Sequence, residues 1–372
     1  MKIKLPAYFK LVMILLGIVL IVVIMREAKV ILAPIMISGF FAILISPITA
    51  WQEKKGIPRV LAVMISLIAL IAFVSGIFYF FYNQILGFSG DIAVLERRVN
   101  ELVESINVFV SEHIDGVVPI SGENIRETIF QQIYANFDAL TKGIIATAGT
   151  LTMVFIMPVY IFLFLYFRGF LAEFFKRAFS DQYSDKVINV MNKVKSVVQN
   201  YIVGMFIVIC ILAVLNSIAL FSLGIKHALL FAVFAAFLNV IPFLGPFIGA
   251  TLPITFALLT KDSLWYPFGV FLSFYVIQLM ESNIFTPGIV GGRVSMNPLM
   301  TIITLFVGYF IWGIVGMILF IPGMAVMKVI FDEIEGMEPY GFLLGKLKHG
   351  PEDPDETQEP RLLTEIKQRL KF

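Results

Sequence analysis

Eight stretches of the chain carry no Asp, Glu, Lys or Arg: residues 11–25, 30–49, 60–82, 143–167, 201–221, 228–259, 263–280 and 298–327. A helix needs about 20 apolar residues to cross about 30 Å of hydrocarbon, and most of these stretches reach that length. With 59% of residues hydrophobic and 15% charged, the chain departs from soluble domains, which run nearer half apolar and a quarter charged. A soluble fold has no interior large enough to hide that surface. The predicted fold class is all-α, a polytopic helical membrane protein with about eight transmembrane segments. The first stretch is short and follows Lys2, Lys4 and Lys10 as a signal peptide does, but no small-x-small cleavage pattern follows Met25, so it reads as a retained signal anchor.

Lys and Arg beside the spans give the orientation, because positively charged loops stay cytoplasmic. The N-terminal lysines and the 51–59 loop, with Lys54, Lys55 and Arg59, read as inside. Residues 83–142 carry 4 basic and 9 acidic residues and read as outside, whereas 168–200 carry 6 basic and 3 acidic and read as inside. The resulting organisation is spans one to three in 1–82, an external helical insertion in 83–142, and spans four to eight in 143–331 with an amphipathic cytoplasmic connection at 168–200. A cytoplasmic tail follows at 332–372, and both termini face the cytoplasm. In the tail, Pro351, Pro354 and Pro360 among five acids predict a disordered linker, and the closing RLLTEIKQRLKF predicts an amphipathic surface helix.

Two segments break the helical pattern inside the apolar stretches. NVIPFLGPFIGA holds Asn239, Pro242, Gly245 and Pro246; its prolines each remove an intrahelical hydrogen bond, so the sixth stretch reads as two half-helices or a re-entrant hairpin. QLMESNIFTPGIVGGRVSMNPL places Gln278 and Glu281 three residues apart on one helical face, followed by Asn283, Pro287, Arg293, Asn297 and Pro298. Asn297 before Pro298 is a helix N-cap pattern. Broken hydrophobic segments of this kind mark transporter pathways, where half-helix ends and free carbonyls meet ions or polar solutes. Glu281 is the candidate coupling carboxylate, with a transient sodium site beside it and no fixed metal. An anionic substrate group would face Arg293 and the helix start at Pro298. Asn216, in the fifth stretch, reads as an interhelical hydrogen bond and a weaker candidate.

Other chemistry lacks support. The single cysteine, Cys210, allows neither an intrachain disulfide nor a thiolate zinc site, and a net charge of +2 leaves no nucleic-acid footprint. Without a Walker A loop, an H-E-x-x-H motif or a nucleophile elbow, no enzyme class and no cofactor is predicted, and movement has to be driven by an ion or solute gradient.

The proline-bearing APIMISGFFAILISPI closing on Ile57–Pro58–Arg59, the polar insertion after span three, NVIPFLGPFIGA and ESNIFTPGIVGGRVSMNPL together resemble the autoinducer-2 exporter family of bacterial inner-membrane permeases. The resemblance runs through about Phe331. It implies an eight-span secondary transporter and homo-oligomer in the bacterial cytoplasmic membrane, exporting a small polar solute such as the furanone signal autoinducer-2. Sodium or lithium exchange for protons is the alternative it carries. A receptor or scaffold that binds partners through 83–142 and the tail is the reading from another class.

Overall fold

The computed structural model describes residues 6–89, 95, 97–101, 104–105, 107–108, 151–179, 183–290 and 296–345. The 83–142 insertion beyond residue 108 and the tail from 346 lie outside the described residues. Among the described residues there is no strand, only one isolated bridge between Met296 and Gly345. The helices are α1 (Ala7–Glu27), α2 (Lys29–Lys54), α3 (Arg59–Ser89), α4 (Leu151–Tyr166), α5 (Arg168–Ala178) and α6 (Ser184–Ser222). After them come α7 (Ala228–Leu238), α8 (Leu244–Thr260), α9 (Trp265–Met280), a π-helical segment (Glu281–Val290), α10 (Pro298–Trp312), α11 (Ile314–Glu333) and α12 (Glu338–Leu344).

Among the described residues five helices are long and apolar enough to cross a membrane: α2, α3, α6, α9 with the π segment, and α11. The α4–α5 pair, bent by 65°, makes a sixth if taken as one span. Their outward faces are apolar, with Ile68, Ile71 and Phe73 of α3 and Val214 and Ile218 of α6 exposed, as lipid-facing side chains are. The chain is a multi-pass helical membrane protein.

Side-chain contacts define two ends of the bundle. At one end Glu53 pairs with Arg168 and, at 4.0 Å, with Arg59, while Arg59 Nη2 donates to the Leu165 carbonyl at 3.2 Å. This ties the α2–α3 turn to the α4–α5 bend. Behind it, buried Thr49 donates to Ser66 at 3.0 Å and Ser66 donates on to Gln52 Oε1 at 3.4 Å, so buried polar groups are partnered inside the α2–α3 contact. Helix α6, at 39 residues, is about 58 Å long, nearly twice the hydrocarbon thickness. Its N-terminal part projects, and Lys193–Glu333 and Lys186–Glu335 ion pairs hold it to the end of α11.

The opposite end gathers the last turn of α3, the end of α6 and the α7, α8 and α9 ends nearest them. Phe88 packs edge-on against His227 and Phe231, His227 lies 6.0 Å from Phe256, and Leu220, Ala228, Phe256 and Val270 share one core cluster. Helices α7 and α8 thus start and finish at the same end, which makes the sixth stretch a re-entrant hairpin. Small residues along α7 permit the close packing: a Cβ on Gly249 of α8 would come within 2.9 Å of Ala235 Cα.

The eighth stretch, read from sequence as one crossing, is two helices. Gly313 (φ 66°, ψ −143°) occupies backbone space closed to a side chain and turns α10 back into α11. In the hairpin Gly308 and Gly316 face each other so closely that a Cβ on either would overlap the other's carbonyl. Trp312, fully buried at the turn, donates from Nε1 to the Met25 carbonyl of α1 at 2.8 Å.

Candidate transport site

The re-entrant hairpin turns at 239–243. The Leu244 N–H donates to the Pro242 carbonyl at 2.8 Å across Phe243, a γ-turn that holds Phe243 at φ 66° and ψ −48°. Such a turn is rare and strained at a residue with a Cβ. Gly245 follows in the first turn of α8, where a Cβ would overlap the Leu238 carbonyl, and Pro246 also falls in that turn. A proline there removes an N–H that had no helical partner. The helix break is therefore the work of Asn239–Phe243, and Pro246 only begins the second arm.

Beside this turn lies a cavity of about 280 Å³ between α6, α7, α8 and α9. Its polar lining residues are three side-chain amides, Asn216, Asn239 and Gln278, and Tyr275 with its hydroxyl; Pro246, Phe243, Phe247, Phe271 and Phe274 make most of the rest of the wall. Among the described residues no charged side chain lines it. Asn216 is 5% exposed and its Oδ1 has no hydrogen-bond partner among the described residues, while Asn239 is 7% exposed. Sequence reading undervalued Asn216. A polar residue in mid-span was its only signal, and partnership across helices was the expected explanation.

Gln278 joins the cavity to Glu281. Its Nε2 donates to Glu281 Oε2 at 2.8 Å, and Thr286 donates to the other carboxylate oxygen. Glu281 does not close the span: the helix continues to Val290 as a π segment, so this carboxylate sits within a 26-residue apolar helix. The π form has local causes. Ser282 donates to the Gln278 carbonyl at 2.9 Å, Asn283 Nδ2 donates to the Leu279 carbonyl at 2.8 Å, and Pro287 lacks an N–H. Each diverts or removes an ordinary i to i−4 bond. Asn283 commits its amide to its own helix and is exposed.

Asn297 and Pro298 are not among the cavity-lining residues. Asn297 caps α10, accepting from Met300 N–H at 2.8 Å, with Pro298 in the first turn. Its amide also donates to the Leu343 carbonyl at 2.7 Å and to the Gly345 carbonyl at 3.1 Å, pinning α12 beneath α10. Arg293 lies outside the described residues. Among the described residues no group of three His, Cys, Asp or Glu side chains is placed to hold a metal.

A family model described as "AI-2E family transporter" matches residues 8–336. The chain belongs to the AI-2E transporter family. Among its relatives, YrrI of Bacillus subtilis (strain 168) is 28% identical over 313 residues, covering 81% of this chain and 86% of its own. MT0215 of Mycobacterium tuberculosis (strain CDC 1551 / Oshkosh) is 26% identical, covering 85% of this chain and 86% of its own. A Haemophilus influenzae protein (strain KW20 / Rd) is 24% identical, covering 90% and 96%. Their names assign transport provisionally and specify no solute.

Proposed function

We propose that this AI-2E family member is a secondary transporter that exports a small polar solute, with the furanone autoinducer-2 as the first candidate, across the bacterial cytoplasmic membrane. The observation that carries this reading is the cavity at the tip of the re-entrant hairpin, where a helix break places the amides of Asn239, Asn216 and Gln278 together inside apolar surroundings. Ligand sites of about 300–1,000 Å³ with a few convergent polar groups are the usual form, and about 280 Å³ suits a small molecule. Neutral amides both donate and accept, which matches hydroxyl and carbonyl groups.

Orientation follows from charge. Lys54, Lys55, Arg59, Arg168, Lys176 and Arg177 belong to the end that holds the α11 C-terminus, so that end is cytoplasmic, as are both termini, and residues 83–142 are external. The chain works as a homo-oligomer in the lipid bilayer. The test is uptake of autoinducer-2 into inside-out vesicles carrying the protein, compared with vesicles carrying Gln278→Leu. Equal accumulation in protein-free vesicles overturns the reading.

A second reading, sodium or lithium exchange for protons, is favoured by the place of Glu281 inside the span. A carboxylate there can trade a proton for a cation, with Gln278 and Thr286 each hydrogen-bonded to one of its oxygens. A sodium pulse on proteoliposomes holding a pH dye separates the two: proton flux lost in Glu281→Gln identifies the exchanger.

A further inference from the structure

Helix α5 is joined to the bundle without being packed into it. None of its residues is buried, and Phe170, Phe174 and Phe175 are 69%, 56% and 46% exposed; among the described residues nothing covers them. Its sequence, RGFLAEFFKRA, is nevertheless ordered for contact. Phe170, Leu171, Phe174 and Phe175 recur at i, i+1, i+4 and i+5 along one face, while Glu173, Lys176 and Arg177 share the other. Charge and apolar surface separate more sharply here than in any other of helices α1–α11. Helices that cross lipid are apolar nearly all round, whereas a divided helix suits the boundary between water and hydrocarbon.

The contacts around Glu53 give the level of that boundary independently. Lys55 Nζ stands 3.7 Å over the exposed Trp51 ring at the end of α2, and the Arg59 guanidinium lies 5.7 Å from the Tyr166 ring at the end of α4. Aromatic rings with cations beside them at span ends mark the headgroup layer. Arg168, the first residue of α5, is paired with Glu53 at this level. Helix α5 therefore starts in the headgroup layer, and the 65° bend from α4 turns its length of about 16 Å along the layer instead of across it.

Area and charge identify what covers the phenylalanine face. One side of an 11-residue helix offers on the order of 200 Å², far below the roughly 800 Å² that each partner gives to a standard protein interface. The two acids near it, Glu53 and Glu173, are already paired with Arg168 and Arg177. Lys54, Lys55 and Lys176 have no ion pair among the described residues and leave the surface positive. A second copy of the chain would bring the same surplus. An anionic bilayer supplies acyl chains for the rings and phosphates for the lysines.

We propose that α5 lies in the headgroup layer of the leaflet at the Glu53 end, with Phe170, Phe174 and Phe175 in the upper acyl chains and Lys176, beside Lys54 and Lys55, gathering anionic phospholipid. The assignment is independent of which solute is carried and stands or falls separately from transport.

The test uses the full chain carrying Phe174→Trp in bilayers, reading the fluorescence it adds over the parent. Phosphatidylcholine brominated near the glycerol end of its chains is expected to quench it, and aqueous iodide is not. Brominated phosphatidylglycerol diluted into unbrominated phosphatidylcholine is expected to quench beyond its bulk proportion. Adding Lys176→Gln should lower that local enrichment about fivefold, the contribution of one basic residue at an anionic surface, and molar salt should abolish it. Quenching by iodide places the face in water and overturns the proposal. Resistance to both quenchers places protein over it, a second copy or another segment of this chain, and does the same. Quenching by brominated lipid with no enrichment of phosphatidylglycerol, or with enrichment unchanged in Lys176→Gln, overturns the anionic assignment. Phe170→Trp, one turn earlier on the same face, repeats each reading if Phe174→Trp fails to fold.

Discussion

Gln278 Nε2 donates to Glu281 Oε2 at 2.8 Å, and this one contact connects a neutral amide-lined cavity to the only carboxylate in the helix from Trp265 to Val290. Gln278 lines the cavity; Glu281 does not. On the proposed function, the carboxylate would act on a solute in the cavity through Gln278, by fixing which way its amide points.

Gln278→Leu is expected to cut solute flux by about tenfold to a hundredfold, since a hydrogen bond to a charged group contributes about 1.5–3 kcal/mol. Glu281→Gln keeps the shape but turns one of the two acceptor oxygens into an amide N–H₂ donor and removes the charge, so it can no longer accept from both Gln278 and Thr286. Flux should fall in both variants with normal membrane expression. Full flux in Glu281→Gln removes the carboxylate from the mechanism.

Phe243 carries a conformational penalty at φ 66° that glycine does not. Left-handed strain of this kind costs of order 1–3 kcal/mol, and glycine adds back about 0.5–1 kcal/mol of unfolded-state entropy. Phe243→Gly is expected to raise stability by about 1 kcal/mol, read as a higher unfolding midpoint in detergent. A lower midpoint means the ring contributes more packing than its exposure allows.

Gly308 and Gly323 make a matched pair of glycines on the α10–α11 hairpin. A Cβ at 308 overlaps the Gly316 carbonyl, whereas one at 323 meets nothing within 4 Å. Gly308→Leu should destabilise by about 1–3 kcal/mol through overpacking. Gly323→Ala should be neutral or stabilise by up to about 1 kcal/mol from helix propensity. Chemical denaturation of both variants in one detergent checks the difference, and equal effects would mean the two helices do not meet at Gly308.

Asn297→Ala removes both the α10 cap and the two bonds that hold 343–345. Cap loss costs about 1 kcal/mol, and freed α12 should become a protease target. Limited proteolysis is expected to trim the variant near residues 338–345 while the parent resists. Unchanged resistance would show that packing of Gly341 and Leu344 alone holds the segment.

The repeated absence of charge over stretches of membrane length made the helical membrane class legible in the sequence alone, because an apolar run of that length satisfies its own backbone in hydrocarbon as a helix. Charge beside the spans grouped Arg59 with Arg168, which the structure brings to one carboxylate. The clustered prolines announced a broken sixth segment. They misplaced its cause: a proline looks alike in sequence at a break and in a first turn, and Pro246 proved to be the latter.

Other features depended on distances between residues far apart in the chain. The turn at Gly313 hides within an uncharged run, and its meaning comes from Gly308 meeting Gly316. Glu281 has the look of a span boundary in the sequence, but the helix runs on to Val290. Asn297 matched a cap pattern correctly, but its hold on 343–345 spans a separation no local pattern encodes. Asn216 gave only a polar letter among apolar ones. Composition and local hydrogen-bonding capacity are properties of the sequence, so it determined by itself that this is a helical membrane protein with a broken segment. The tertiary structure decided which amides share a cavity and which acceptor lacks a donor, because those depend on how helices from distant parts of the chain pack together.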